Sequence, residues 1–203
     1  METGKKPYHH GDLRRAMLDT AIEMLAEEKG WQFTLRELAR RAGVSHTASY
    51  KHFPDKAGLL AELALLGMDR LREALLTARP PAPATLREQF LEMSRAYVRF
   101  GTANPNLYRL MFSADAHVAA SARLKEHGAA ALAVLVELIE EGQRAGWLRK
   151  GEVFEQAGAG WAHLHGVTLL TVDGLLGPDT VRSDRASDAA LLVLLEGLEA
   201  DRQ

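Results

Sequence analysis

The segment from Thr34 to Leu60, TLRELARRAGVSHTASYKHFPDKAGLL, constrains the fold more than any other part of the chain. Thr34 and Glu37 stand at the spacing of a capping box, which starts a helix. Gly43 supplies the left-handed backbone that a sharp turn between two helices requires, and Ser45 can cap the helix that follows. The segment therefore predicts two short helices joined by a tight turn, with a third helix beginning soon afterwards.

The second of these helices, over about 46–53, carries polar and aromatic side chains where a core helix would carry aliphatic ones. In a helix-turn-helix such a helix lies in the major groove, and side chains near its N-terminus read base edges. Tyr50, Lys51, His52 and Lys56 fall within about two turns, and each can reach phosphate oxygens. We therefore predict binding to duplex DNA. A plain helical hairpin with a glycine turn is the alternative.

Three motifs in this region make the chain similar to the TetR family of bacterial transcriptional regulators. They are YHHGDLR at 8–14, TLRELA-x-x-AGVS at 34–45 and YKHFPDK-x-x-LL at 50–60. The resemblance implies a helix-turn-helix DNA-binding domain at 9–62 and a helical effector-binding and dimerisation domain at 63–203. A further motif, WAHLHG at 161–166, resembles the W-x-x-x-H-G signature of one subgroup of TetR C-terminal domains.

The same resemblance implies which residues contact DNA. Arg36 falls where family members contact bases or phosphates from the first helix of the motif, and Thr34 takes a capping position on the phosphate side. The departure from the family pattern is Ser49, where many members have an apolar residue facing the other helices. The expected DNA-contacting residues are Thr34, Arg36, Ser45, His46, Thr47, Ala48, Tyr50, Lys51, His52 and Lys56.

Composition favours an all-helical fold. Alanine, leucine, glutamate and arginine dominate the 203 residues, and no long run alternates like a strand. We expect an all-α protein of about nine helices, with a three-helix helix-turn-helix head on a larger helical body. The chain has no cysteine, which excludes disulfides and thiolate chemistry and favours a reducing, cytoplasmic location. The N-terminus lacks the apolar run of a signal peptide.

Charge is distributed unevenly along the chain. Residues 1–60 carry 10 Lys and Arg against 8 Asp and Glu, a balance of +2, whereas residues 61–203 carry 15 against 19, a balance of −4. This suits a basic DNA-reading head on an acidic body. Lys5 and Lys6 form a short basic arm that is either a phosphate contact or a free tail, and the Y-H-H-G resemblance suggests that His9 and His10 help to position the first helix.

Catalytic and metal-binding patterns are missing from the sequence. It contains no H-E-x-x-H, G-x-S-x-G, P-loop or glycine-rich dinucleotide turn. His163 and His165 are two residues apart, so on a helix they face different directions and cannot share a metal ion. The sequence therefore predicts neither an enzyme nor a bound cofactor or metal.

Helical periodicity extends through the rest of the chain. Asn104 and Pro105 are typical of an N-cap followed by a first-turn proline. A glycine at 30 and another at 146 are expected to end the first and the longest helix. The predicted helices outside the motif cover about 12–28, 56–78, 84–102, 105–112 and 118–145.

Two late segments, 156–172 and 189–195, contain no Asp, Glu, Lys or Arg. A helix that is apolar all round must be covered on all sides, and a membrane span is rejected because the run is short and holds two histidines. We expect one face against the chain's own domain and the other against a second copy, as the resemblance implies. A buried central helix in a monomer is the alternative. The expected interface residues are Gly158, Ala162, Gly166, Leu169, Leu191, Leu194, Leu195 and Leu198.

Aromatic and thioether side chains gather on neighbouring helices of the body. Apolar walls with a few polar tips suit a small-molecule pocket, although core packing explains any single residue. The expected pocket residues are Tyr97, Phe100, Tyr108, Met111, Phe112, Trp161 and His165. We therefore predict a ligand-responsive homodimeric repressor that binds a near-palindromic operator and a small, largely apolar effector. The alternative is a helical interaction protein with a degenerate DNA-binding head.

Overall fold

The computed structural model describes residues 13–27, 30–80, 84–176 and 180–200. Within these ranges the chain forms nine helices and no strand, which confirms the all-helical prediction. The predicted arm and histidine pair near the N-terminus lie outside the described residues. The helices are α1 Leu13–Leu25, α2 Leu35–Arg41, α3 His46–His52, α4 Lys56–Ala78, α5 Leu86–Ala103, α6 Pro105–Met111, α7 Ala114–Arg144, α8 Val153–Val172 and α9 Thr180–Leu198.

Helices α1–α3 form the head, and the predicted caps begin α2 and α3. The Thr34 hydroxyl accepts from the Glu37 amide at 3.1 Å while the Glu37 carboxylate accepts from the Thr34 amide at 2.7 Å, which completes the capping box. The Ser45 hydroxyl accepts from the Ala48 amide at 3.2 Å. Gly43 adopts a φ of 68° in the turn between the two helices. Local sequence therefore determines the turn geometry of the motif.

Helix α1 ends at Leu25, earlier than predicted, and the reason lies in a different part of the chain. The side-chain amide nitrogen of Asn106, at the start of α6, donates to the Leu25 carbonyl at 2.7 Å and to the Glu27 carbonyl at 3.2 Å. These bonds satisfy carbonyls that would otherwise need another helical turn or a C-cap. Gly30, with a φ of 55°, lies in the turn beyond instead of ending the helix directly.

Helix α4 belongs to both head and body. Its N-cap is Asp55, whose carboxylate accepts from the Gly58 amide at 2.7 Å. The helix then packs along α5, α6 and α7, and the expected domain boundary at 62/63 falls inside it. Glu62 accepts from Arg14 of α1 at 2.5 Å and from Arg123 of α7 at 2.6 Å. Burial raises the pKa of the Glu62 carboxyl, but these two arginines outweigh it and lower the pKa overall.

Helix α6 begins where it was predicted but lacks the expected side-chain cap, and α7 begins earlier than predicted. Pro105 takes the first turn of α6 as expected, but the Asn104 side chain donates back to the Phe100 carbonyl at 2.9 Å and does not cap the helix. Helix α7 starts at Ala114, four residues earlier than predicted, with Ser113 as its N-cap. Its backbone is non-helical at Ala120, so the long helix contains a kink.

Helices α8 and α9 complete the body. One face of α8 is buried through Ala157, Gly160, Leu164 and Thr168, and α8 packs against α5, α7 and α9. In the part of the chain that is described, no helix is long and apolar enough to cross a membrane.

Candidate DNA-binding surface and effector site

Helix α3 presents a polar face to solvent. His46, Thr47, Tyr50 and Lys51 are exposed, whereas Ala48 and His52 are half-buried. Ser49 and the following Phe53 are buried and attach the helix to the head. The expected base-reading and phosphate-contacting residues on α3 therefore share one accessible surface.

Ser49 fits its buried position because its hydroxyl is satisfied locally. The hydroxyl donates to the His46 carbonyl at 2.7 Å, one turn back along α3. A buried polar group with a hydrogen bond avoids most of the cost of leaving water. The departure from the apolar residue of the family is thus compatible with a packed helix.

The remaining expected DNA contacts surround α3. Arg36 is exposed on α2, and the Thr34 hydroxyl is engaged with Glu37 in the capping box. Lys56, at the first position of α4, is half-buried, with its ammonium 5.8 Å from the centre of the Phe33 ring. A cation over an aromatic face is held in place while its outer hydrogens stay available to an anion.

A cluster of aromatic rings lies in the body where α5, α6 and α8 meet. The Tyr108 hydroxyl lies 3.1 Å from the Tyr97 hydroxyl and 2.7 Å from Nδ1 of His165. Trp161 packs edge-on against Tyr97 with ring centres 5.2 Å apart, and Phe112 packs against His165 at 4.3 Å. We call these five residues the aromatic cluster. It brings together five of the seven expected pocket residues.

Burial favours the neutral forms of the titratable groups in the aromatic cluster. Burial raises the pKa of Tyr108 to about 12, although hydrogen bonds with Tyr97 and Thr168 act in the opposite direction. Burial, together with the neighbouring Tyr108, also raises the pKa of Tyr97. Burial lowers the pKa of His165, which favours the uncharged form of its ring. The cluster therefore suits an uncharged or weakly polar partner.

The aromatic cluster is closed in this structure. Tyr97, Tyr108 and the neighbouring Met111 are completely buried, whereas Phe112, Trp161 and His165 are partly exposed. Phe100, the remaining expected pocket residue, is partly buried against the core. The Ser94 hydroxyl, one turn before Tyr97 on α5, is buried and has no hydrogen-bond partner within the described residues.

Two family models match the chain. The model described as bacterial regulatory proteins, tetR family, matches residues 18–63, and the tetracyclin repressor-like C-terminal domain model matches residues 90–194, more than half of the chain. The chain belongs to the TetR family. The helix-turn-helix head on a helical body is thereby that of a TetR-like transcriptional regulator, as the motifs indicated.

Solved structures share this fold, and a curated protein is similar in sequence. A Rhodococcus protein of unknown function is 35% identical, with a TM-score of 0.81 over 97% of this chain and 100% of that one. A TetR-family regulator from Pectobacterium atrosepticum shares the fold, with 24% identity and a TM-score of 0.75 over 98% and 100% of the two chains. The nucleoid occlusion factor SlmA of Shewanella amazonensis is 28% identical over 70% of this chain and 71% of that protein.

The outer surface of α8 and α9 in this TetR-family regulator carries several exposed apolar side chains, with the exposed carboxylate of Glu155 at its edge. Phe154 is 75% exposed and Val193 is 65% exposed. Gly158, Ala162 and Gly166 follow Phe154 along α8 at four-residue spacing, and a Cβ added at either glycine would meet no atom of the described residues within 4 Å beyond its own helix backbone. We call this surface, together with Leu170, the α8–α9 face. Large exposed apolar side chains grouped in this way mark interaction sites.

The expected interface residues divide into two groups. Gly158, Ala162, Gly166, Leu169 and Leu194 keep at least part of their surface exposed. The others, Leu191, Leu195 and Leu198, are buried in the core of the protomer itself. The unbroken apolar run in α9 concealed this division, because an apolar residue can face either the core or a partner.

Sequence reasoning missed the residues that join head and body. The indole nitrogen of Trp31, in the turn after α1, donates to the Asp115 carboxylate of α7 at 2.9 Å. Asn106 reaches the end of α1 from α6, as described above. These contacts link residues about 80 positions apart, so no local pattern could have indicated them.

Proposed function

We propose that this chain is a homodimeric, ligand-responsive repressor that binds a near-palindromic operator through α3. The observation that carries the proposal is the exposed polar face of α3, where His46 and Thr47 stand beside Tyr50 and Lys51. A helix that merely closed a hairpin would not need this set of groups on its open side. Two heads related by a two-fold axis would then read half-sites separated by whole turns of DNA.

Selection of bound sequences from a random duplex pool tests this proposal. The experiment is run near physiological salt and followed by a gel shift of the enriched duplex, because non-specific affinity depends strongly on salt. A palindromic consensus bound by a dimer is the expected result. Weak, salt-sensitive binding without enrichment, in both the absence and the presence of candidate effectors, would favour a helical interaction protein.

Substitution of Lys56 separates affinity from specificity. We expect Lys56→Ala to weaken binding to all duplexes alike, because an interaction with phosphate carries no sequence information. The slope of log affinity against log salt should flatten by about 0.9 for each phosphate that is no longer neutralised, or about 2 for a dimer. Lys125→Ala, on an exposed position of α7, is the control and should change neither quantity. A changed base preference at constant salt slope would contradict this role.

The aromatic cluster is our proposed effector site. An entering molecule would displace the partly exposed Phe112, Trp161 and His165 and reach the buried hydroxyls behind them. The Ser94 hydroxyl, one turn before Tyr97, has no partner among the described residues and would offer a donor to a ligand acceptor that reached it. The effector is therefore proposed to be largely apolar and uncharged, with a hydrogen-bond acceptor.

Helix α6 connects this site to the head. It carries Tyr108 of the aromatic cluster, and one half-turn earlier it carries Asn106, which holds the end of α1. Arg109, the next residue after Tyr108, donates to the Asp173 carboxylate after α8 at 2.5 Å. A ligand that moved Tyr108 would thus move a seven-residue helix bonded to the head. Release still requires that the ligand prefer the altered arrangement of the two heads.

The Asn106→Ala variant tests the proposed connection between the aromatic cluster and the head. We expect effector affinity to persist while the effector-induced loss of operator binding falls, because the bonds to the Leu25 and Glu27 carbonyls are gone. Effector affinity is measured by titration calorimetry and operator release by gel shift, on the same protein preparations. Tyr108→Phe is the comparison variant and should weaken effector binding itself. Full release by an Asn106→Ala protein would exclude this route.

A further inference from the structure

The first side chain of α3 is held by the side chain one turn later. The rings of His46 and Tyr50 pack edge to face, with their centres 4.8 Å apart and an interplanar angle of 66°. Residues four apart on a helix are neighbours on its surface. Both residues are exposed, and Tyr50 keeps 44% of its surface accessible. The contact is therefore present on the open face of the head, before any DNA is bound.

The backbone beneath this ring pair is also fixed. The Ser49 hydroxyl donates to the His46 carbonyl at 2.7 Å, and the Ser45 hydroxyl accepts from the Ala48 amide at 3.2 Å. The first turn of α3 is thus held on both sides of His46. With the backbone fixed, the direction of the imidazole depends on its side-chain torsions, and the Tyr50 ring restricts those torsions.

We propose that Tyr50 is a positioning residue for base reading by His46, in addition to any phosphate contact made by its hydroxyl. The inference rests on the proposed reading of operator bases by α3. An exposed histidine must lose rotamer freedom to make a directed hydrogen bond with a base edge, and a side chain already held in place loses less. The tyrosine ring, not its hydroxyl, supplies this restriction.

Because the ring and the hydroxyl of Tyr50 are proposed to have separate roles, two variants should behave differently. Tyr50→Phe keeps the ring, so base preference at the position read by His46 should stay unchanged while overall affinity falls. Tyr50→Leu keeps an apolar helix-forming side chain but removes the ring, and the preference at that one position should fall by about two- to tenfold per half-site. Preferences at the other operator positions should stay as they are.

The test measures relative affinities for every single-base substitution of the selected operator with the full-length protein. His46→Ala identifies the position that His46 reads, and Lys51→Ala, on the next exposed position of α3, is the control that should lower affinity evenly. In the double variant His46→Ala/Tyr50→Leu no further preference should be lost at the His46 position, since the tyrosine would act only through the histidine.

A second readout needs no DNA. The ring carbon protons of His46 should show a ring-current shift in the free protein that persists in Tyr50→Phe and disappears in Tyr50→Leu. If Tyr50→Leu lowers affinity evenly and leaves the preference at the His46 position intact, the positioning role is wrong although base reading stands. If His46→Ala changes no preference at all, base reading by His46 fails and the inference fails with it.

Discussion

Replacing Ala162 with glutamate is expected to convert the proposed dimer into monomers and to reduce operator binding by a factor of about 10²–10⁴. Ala162 lies on the α8–α9 face and is exposed in the protomer, so the substitution leaves the protomer core untouched. In a two-fold interface each copy would bring its own carboxylate into an apolar contact, and an unpaired buried charge is strongly destabilising. A single head would then have to bind one half-site without the added affinity of a second head on the other half-site.

Sedimentation measures the dimer and a gel shift measures operator binding, while circular dichroism verifies that the helices remain. Ala122→Glu is the matched control, because it adds the same charge at an exposed position in the first half of α7. It should remain dimeric and bind as before. A dimeric Ala162→Glu protein with normal operator affinity would place the interface away from the α8–α9 face.

Replacing Gly101 with alanine is expected to destabilise the protein, although alanine is the better helix former. An added Cβ at this position of α5 would lie 2.2 Å from Cγ2 of Thr168 on α8. Thr168 cannot easily turn away, because its hydroxyl donates to the Leu164 carbonyl at 2.7 Å and its β-branched side chain has few rotamers. Overpacking of this kind costs about 1–3 kcal/mol.

Gly128 provides the comparison, since it is also inside a helix, but a Cβ added there would meet no atom of the described residues within 4 Å beyond its own helix backbone. Gly128→Ala should raise the free energy of unfolding by about 1 kcal/mol through helix preference alone. Because the helix preference of alanine acts in both variants, they should differ by the overpacking cost, about 1–3 kcal/mol, in denaturant titrations. Thr168→Ser, which removes Cγ2 and keeps the hydroxyl, should restore much of the loss in Gly101→Ala. Equal stability of both variants would mean that α5 and α8 separate readily.

The close approach at Gly101 also positions the aromatic cluster. The same added Cβ would lie 3.2 Å from the Tyr108 ring, so a small residue at this point lets α5, α6 and α8 meet. The sequence indicated aromatic residues on neighbouring helices, but not which of them would touch. Tyr97, Tyr108 and His165 meet through hydroxyl and ring nitrogen contacts that span 11 and 57 positions of sequence. Such pairings depend on how helices pack, and periodicity alone does not determine packing partners.

The α8–α9 face likewise depends on how helices pack, which periodicity alone does not determine. Charge-free runs predicted that α8 and α9 need cover beyond their own turns, and the structure leaves Phe154, just before the first run, and Val193 exposed. The charge-free runs could not show which leucines face the protomer core and which face a partner, because an apolar side chain suits either position. Leu191 and Leu195 accordingly belong to the protomer core.

The amino-acid sequence by itself determined the head. Caps at Thr34, Ser45 and Asp55 and the left-handed turn at Gly43 are short-range features, made by atoms within a few residues of each other. Their geometry follows from local hydrogen bonding and backbone sterics, so residue order is sufficient to predict them. For the same reason the TetR-family motifs could be recognised in the sequence.

Only the tertiary structure decided how the head is joined to the body and which body residues meet. The end of α1 depends on Asn106, the turn after α1 is linked to α7 through Trp31 and Asp115, and α4 is held to both sides through Glu62. Each of these bonds joins residues at least 48 positions apart. They form because the packing of whole helices brings the partners together, and that packing reflects shape and burial summed over the entire core rather than any local pattern.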